Sequence, residues 1–283
     1  MALKTVLALY SQGTAVDQED GFIINEPFFG VVDGFSPPYS PTNPKILFNG
    51  LSGGEMVRRQ IQSVFYSAHP LVPLDQLLLL ANDKIRLTQA QYGIYNDNPG
   101  LLAGASFVFA KIEQEIIQII QGGDCLAVWL LSSGEINSTD NQAYAHVTDN
   151  LNTIKKLMKR NQGNRRKMWD EFLPILSERR NQDCNRPTEK GYAVLNGDPT
   201  VEQYWQTIIV PTEEVEKMIL FSDGLIQYEE TADMNRLSGN LLQAYSMSGI
   251  KDLLDRKRLQ EIARSQDSYV SHEEVTAVVI QLR

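Results

Sequence analysis

Four acidic residues stand at the polar ends of strand-like apolar runs, far apart in the chain. They are Asp20 in Gln18-Glu19-Asp20-Gly21-Phe22-Ile23, Asp33 in Gly30-Val31-Val32-Asp33-Gly34-Phe35, Asp223 in Ile219-Leu220-Phe221-Ser222-Asp223-Gly224-Leu225, and Glu273 in His272-Glu273-Glu274-Val275-Thr276-Ala277-Val278. Carboxylates at strand ends can converge in space even when distant in sequence. A converged cluster repels itself unless a cation sits between its members. Hard divalent ions such as Mg2+ and Mn2+ favour all-oxygen sites of this kind. The chemistry on offer is that of a metal centre assembled by the fold.

The elements that would have to position these acids can be read from periodicity. Val6–Tyr10, Gly21–Ile24 and Phe28–Val32 have strand character, the last two joined by the turn-like Asn25-Glu26-Pro27. Ser36 to Pro44 is a proline-rich loop. Helical spacing follows, with Met56, Ile61, Val64 and Phe65 on one face, then Leu74 to Tyr92 with Leu77, Leu78, Leu80, Ala81 and Ile85. Three β-rich runs, Ala105–Ile112, Glu115–Ile120 and Cys125–Leu131, predict an antiparallel meander broken at Gly122-Gly123-Asp124. Residues 149 to 190 are polar, helix-prone and basic, and read as a helical insertion. Strands return at Gln206–Val210 and Lys217–Phe221, helices near 229–246 and 250–265, and a last strand at Val275–Leu282. This order is not the alternating pattern of a parallel sheet. It predicts an α+β fold, a mainly antiparallel β-sandwich with helices packed outside, spanning residues 1–283 as one domain.

Composition narrows the function classes. A net charge of −9, from 26 basic and 35 acidic residues, argues against nucleic acid as a partner, because phosphate backbones are bound by clustered Lys and Arg. The two cysteines, Cys125 and Cys184, make neither a disulfide framework nor a zinc site and suit a reduced, cytoplasmic setting. No stretch reaches the ~18 apolar residues that would span a bilayer, so no membrane partner is expected. A Gly-x-Ser-x-Gly nucleophile elbow is absent, and Ser52-Gly53-Gly54-Glu55 lacks the lysine of a phosphate-binding loop.

In this order the acidic strings resemble those of the metal-dependent serine/threonine protein phosphatases of type 2C. The matching segments are Glu19-Asp20, Val32-Asp33-Gly34, Gly104-Ala105-Ser106, Gly123-Asp124, Ser222-Asp223-Gly224-Leu225 and Glu273-Glu274-Val275-Thr276, covering about residues 5 to 282. Each alone is weak, since Asp-Gly is a common turn dipeptide; together and in order they are specific. The resemblance implies a central β-sandwich flanked by helix pairs, with two Mn2+ or Mg2+ ions at one end. It implies that Asp33 bridges both ions with the Gly34 carbonyl as a further ligand, and that Asp20 holds one ion directly or through water. Asp223 and Glu273 would complete the other shell. It gives Asp33 and Asp223 as the catalytic positions, a phosphorylated protein as the substrate, and a metal-activated water as the nucleophile attacking phosphoserine or phosphothreonine. Asp124 falls where a weaker additional ion can bind, and equally reads as a turn residue; Glu274 could replace Glu273. The 149–190 insertion matches the family's variable flap.

Three positions depart from the family pattern. Ala15 occupies the slot of the phosphate-binding arginine, and no Arg or Lys lies between Lys4 and Lys45. Phe35 stands where many members have a histidine, and Glu273 replaces an aspartate. These changes open a second reading, a catalytically degenerate relative that binds rather than hydrolyses. Against it, the three aspartates of the metal core are retained. His272 beside the acids could donate a proton or simply face solvent; His69 and His146 have no motif around them.

Overall fold

The central strands are apolar at nearly every position rather than alternately, because the sheets they form are covered on both faces. A computed structural model describes residues 3–39, 44–95, 98–264 and 271–283; residues 40–43 of the proline-rich loop and residue 265 of the last expected helix lie outside them. The strands are β1 (Thr5–Ser11), β2 (Asp20–Asn25), β3 (Phe28–Phe35), β4 (Gly104–Ile112), β5 (Ile116–Gly122), β6 (Leu126–Leu131), β7 (Ile136–Ser138), β8 (Gln206–Pro211), β9 (Val215–Phe221) and β10 (Val275–Gln281). The helices are α1 (Gly53–Tyr66), α2 (Leu74–Gln91), α3 (Tyr144–Arg160), α4 (Arg165–Asp183) and α5 (Met234–Arg264), the last broken at Gly249 with φ of 83°.

Two five-stranded antiparallel sheets stack face to face, in the orders β1-β10-β9-β6-β7 and β2-β3-β4-β5-β8. Successive side chains on a strand point to opposite faces, and the chain uses both. Val31, Val108 and Ile119 meet Leu220 and Val278 between the sheets. Their neighbours Val32, Phe107 and Phe109 turn outward against Ile61, Phe65, Leu78 and Ile85 of α1 and α2. On the far side Ile219, Phe221 and Val279 pack against Leu237, Leu241 and Leu253 of α5. The result is the α/β/β/α layering expected from the order of elements.

One expectation fails. The three β-rich runs are not a meander: β4 pairs with β5, but β6 leaves that sheet and pairs with β9 and β7 in the other. The chain crosses at Gly123, whose φ of +76° suits glycine and where a Cβ would sit 2.2 Å from Ser106 Oγ. The place beside β5 is taken instead by β8, far later in the chain. The basic helical region is α3 and α4, beginning at Tyr144 rather than 149. These helices pack on each other through Leu157, Met168 and Phe172.

Candidate functional site

The β2–β3 hairpin places Asp20 directly opposite Asp33, and β4 places Ser106 on Asp33's other side. The opposing sheet reaches the same end through the β9–β10 pair. Ser222 N–H donates to the Thr276 carbonyl (2.9 Å), Thr276 N–H donates to Ser222 Oγ (3.0 Å), and Ser222 Oγ donates across the sandwich to Asp20 Oδ2 (2.8 Å). Asp223 follows, and Asp124 sits on the crossing between the sheets. Four carboxyl groups from four segments thus face one another at one end of the sandwich.

Their electrostatics follow from that placement. Asp20 is 2% exposed. Desolvation foremost, with a contribution from Glu274, pushes its pKa up to about 7 against the opposing pull of the Ser222 hydroxyl. Asp33 is held well above the usual carboxylate range by desolvation, then by the charges of Asp20, Asp223 and Asp124. Asp223 is raised in the same way, with Asp124 and Glu273 the largest charges acting on it, and Asp124 is raised by desolvation. The carboxyl of Asp33 is close enough to those of Asp20 and Asp223 for each to influence the other's proton affinity. Crowding and desolvation thus favour the protonated forms of these carboxyls, a penalty on their charge that a bound cation would relieve. Among the described residues no group of three or more His, Cys, Asp or Glu side chains is arranged to hold a metal ion. The donor chemistry, carboxyl oxygens that repel one another, fits a hard divalent ion.

The two glutamates have different surroundings. The Glu273 side chain is 63% exposed and is bonded to Lys257 Nζ at 2.6 Å. Lys257, itself buried, also donates to the Ile226 carbonyl (2.6 Å). Glu274 accepts from Tyr10 OH (2.8 Å) and from the backbone N–H of Glu19 (3.0 Å) and Asp20 (3.4 Å), and so fixes the start of β2. Gly34 is demanded by close approach of α1: a Cβ there would lie 2.6 Å from the Gly54 carbonyl and 2.7 Å from that of Glu19. Ala15 is exposed, its carbonyl taking a bond from Gln12 Nε2 (3.0 Å). The His272 ring is bonded through Nδ1 to Glu261 Oε2 at 2.6 Å.

The sequence reading missed a second set of groups. A cavity of about 180 Å³ beside the acids is lined by Asp33, Asp124, Ser106 and Phe35, and by His146 and Arg180 from α3 and α4. His146 is buried with Nδ1 2.9 Å from Asp183 Oδ2, and desolvation lowers its pKa despite that carboxylate. The Arg180 guanidinium lies 4.4 Å from the Phe35 ring centroid and donates to the Ser36 carbonyl (3.1 Å). Nothing in the sequence separates Arg180 from Arg179, which instead ties α4 to Asn150 and Thr153 of α3.

No family model and no curated protein matches this chain. Solved structures do. Serine/threonine phosphatase Stp1 from Staphylococcus aureus is 16% identical, with 100% of this chain and 96% of that one covered and a TM-score of 0.55. The catalytic domain of serine threonine protein phosphatase PstP, in complex with two manganese ions, is 14% identical over 98% and 97%, at a TM-score of 0.58. PppA, a regulatory component of the type VI secretion system in Pseudomonas aeruginosa, is 15% identical over 99% and 97%, at 0.57. Two antiparallel five-stranded sheets between helix pairs, aligned end to end with these proteins, give this chain the fold of the type 2C serine/threonine phosphatases.

Proposed function

We propose that this protein hydrolyses phosphoserine and phosphothreonine monoesters of proteins at the carboxylate end of the sandwich, with two divalent ions, Mn2+ or Mg2+. The observation that carries this reading is the meeting of Asp20, Asp33, Asp124 and Asp223, with Asp20 opposite Asp33 and bonded across the sheets to Ser222. The PstP structure with two manganese ions supports it. Asp20, Asp33, the Gly34 carbonyl and Asp223 would hold the ions, with Asp124 near an additional one. Bound there, such ions lower the pKa of an attacking water and neutralise phosphoryl oxygens. The chain's own groups do the rest. Ser222 and Glu274 fix Asp20, one through its carboxyl and one through its backbone. The close fit of Gly34 on α1 fixes the end of β3. Glu273 enters an ion's shell only by giving up Lys257.

The test is release of p-nitrophenol from p-nitrophenyl phosphate with Mn2+ and then EDTA, on wild type and Asp33→Asn. Turnover that needs Mn2+ and falls at least about a hundredfold in the variant is expected. Equal turnover in both proteins would overturn the reading. The Lys257–Glu273 pair and the absent arginine at position 15 favour a second reading, a catalytically degenerate relative that serves as a binding or regulatory module. A folded wild type inactive with every divalent ion would favour that one instead.

A further inference from the structure

A second cavity, of about 820 Å³, opens next to the first. Its lining is mostly apolar: Phe35, Pro37 and Tyr39 from the segment after β3, and Trp169, Leu173 and Leu176 from α4. Two of these aromatic side chains are unusually open for their size, Tyr39 at 50% and Trp169 at 43% exposed. The two cavities share Phe35, Leu176 and Arg180, so the wall between acid cluster and apolar groove is the Arg180–Phe35 stack. Arg180 is thus a cation on the lining of a cavity that otherwise carries Asp33 and Asp124. Of its guanidinium donors only Nη1 has an acceptor among the described residues. A guanidinium held in place by a ring and a carbonyl at the edge of a polar cavity is well suited to a phosphoryl group.

We propose that Arg180 grips the phosphoryl group of a phosphorylated peptide, in the role that Ala15 cannot fill, and that the adjoining groove takes a bulky apolar side chain next to the phosphorylated residue. The occupant is fixed by continuity. A chain whose phosphate lies in the small polar cavity must leave it past Arg180, and the surface it meets there is Trp169, Leu173 and Pro37. An aromatic or aliphatic side chain seated there removes apolar area from water, whereas a glycine does not. The inference rests on the phosphatase reading for its ligand but not on turnover.

Binding of fluorescently labelled peptides by anisotropy tests it, in the presence of Mn2+. One peptide carries a non-hydrolysable phosphonate analogue of phosphoserine flanked by Leu and Phe, a second carries it flanked by Gly, and a third has Ser in its place between Leu and Phe. Wild type should bind the first at least about tenfold more tightly than either other. Trp169→Ala should erase the preference for apolar flanks and keep that for phosphonate. Arg180→Gln and Arg180→Lys should do the reverse, with Lys the milder, in proteins whose melting temperature shows them folded. Equal affinity for Leu/Phe and Gly flanks, or intact phosphonate preference in Arg180→Gln, would overturn the proposal. Peptide preferences as expected in a protein that never turns over p-nitrophenyl phosphate would keep this site and remove hydrolysis.

Discussion

Asp20 links the site to stability through a single proton. Its folded pKa, about 7, stands above the ordinary 3.8. Between those values the folded protein holds a proton that the unfolded chain has released. The stabilisation is complete below the lower value and is lost as pH rises through the upper one. Asp33, Asp124 and Asp223 are shifted the same way; His146, shifted down, acts oppositely and more weakly in number. In EDTA the melting temperature should therefore fall between about pH 5 and about pH 8, and Mn2+ should raise it more at the higher pH, where it competes with fewer protons. A melting temperature that climbs over this range in EDTA would contradict the balance assigned to the cluster. Asp20, Asp33 and Asp223 could be picked from sequence because each ends an apolar run beside a glycine or serine. Glu273 and Glu274 could not be told apart: adjacent residues at a strand entrance point to opposite sides. Only the fold decides that Glu274 meets Tyr10 and β2 while Glu273 meets Lys257. Arg180 and His146 carry no local signal at all, since a helix residue's role here depends on where the helix docks.

At the scale of elements, the first turn of α1 and the end of β3 approach too closely for a side chain at Gly34 or Gly54. Ser36 Oγ accepts from Gly53 N–H (3.0 Å) and donates to Glu19 Oε1 (2.5 Å), while a Cβ on Gly54 would lie 2.7 Å from the Gly34 carbonyl carbon. The Ser52-Gly53-Gly54-Glu55 string is thus a helix start, capped by Ser52 Oγ on the Glu55 N–H (3.1 Å), that seats itself on the strand bearing Asp33. Gly34→Ala would press its methyl into two backbone carbonyls that cannot rotate away. It should cost about 2–3 kcal/mol, read as a lower urea midpoint with unchanged slope. An unaltered midpoint would mean that the contact is loose. The same elements mark the limit of sequence reading. Apart from the short β7, strand positions and both outer helix layers follow from periodicity, because each apolar face has to be buried. Which sheet β6 joins does not, because local turn chemistry at Gly122-Gly123-Asp124 suits a hairpin and a crossing equally, and the decision rests with β8 and β9, some eighty residues on.

For the whole molecule, the two halves of the candidate site stand on foundations of unequal strength. The acids sit on β2, β3 and the β9–β10 end, whose neighbouring strands are buried almost throughout. Arg180, His146 and Trp169 sit on α3 and α4. The first of these helices buries only His146, Asn150 and Leu157, and the second only Met168, Phe172 and Asp183. Regions that bury few apolar contacts open at lower free energy than a sheet core. Backbone amides of 144–183 should therefore exchange with deuterium at least about tenfold faster than those of β3, β4, β9 and β10. The phosphonate peptide with Leu and Phe flanks should slow exchange in α4 while leaving the strands unchanged, because it draws its binding from the groove wall. Protection of α3 and α4 equal to that of the strands, with no response to the peptide, would make the helices part of one rigid unit. Recognition would then have to come from a preformed surface rather than from one that tightens around its ligand. The unequal foundations favour tightening: the carboxylates need fixed positions to share a cation, whereas a groove reading side chains beside a phosphate gains range by adjusting.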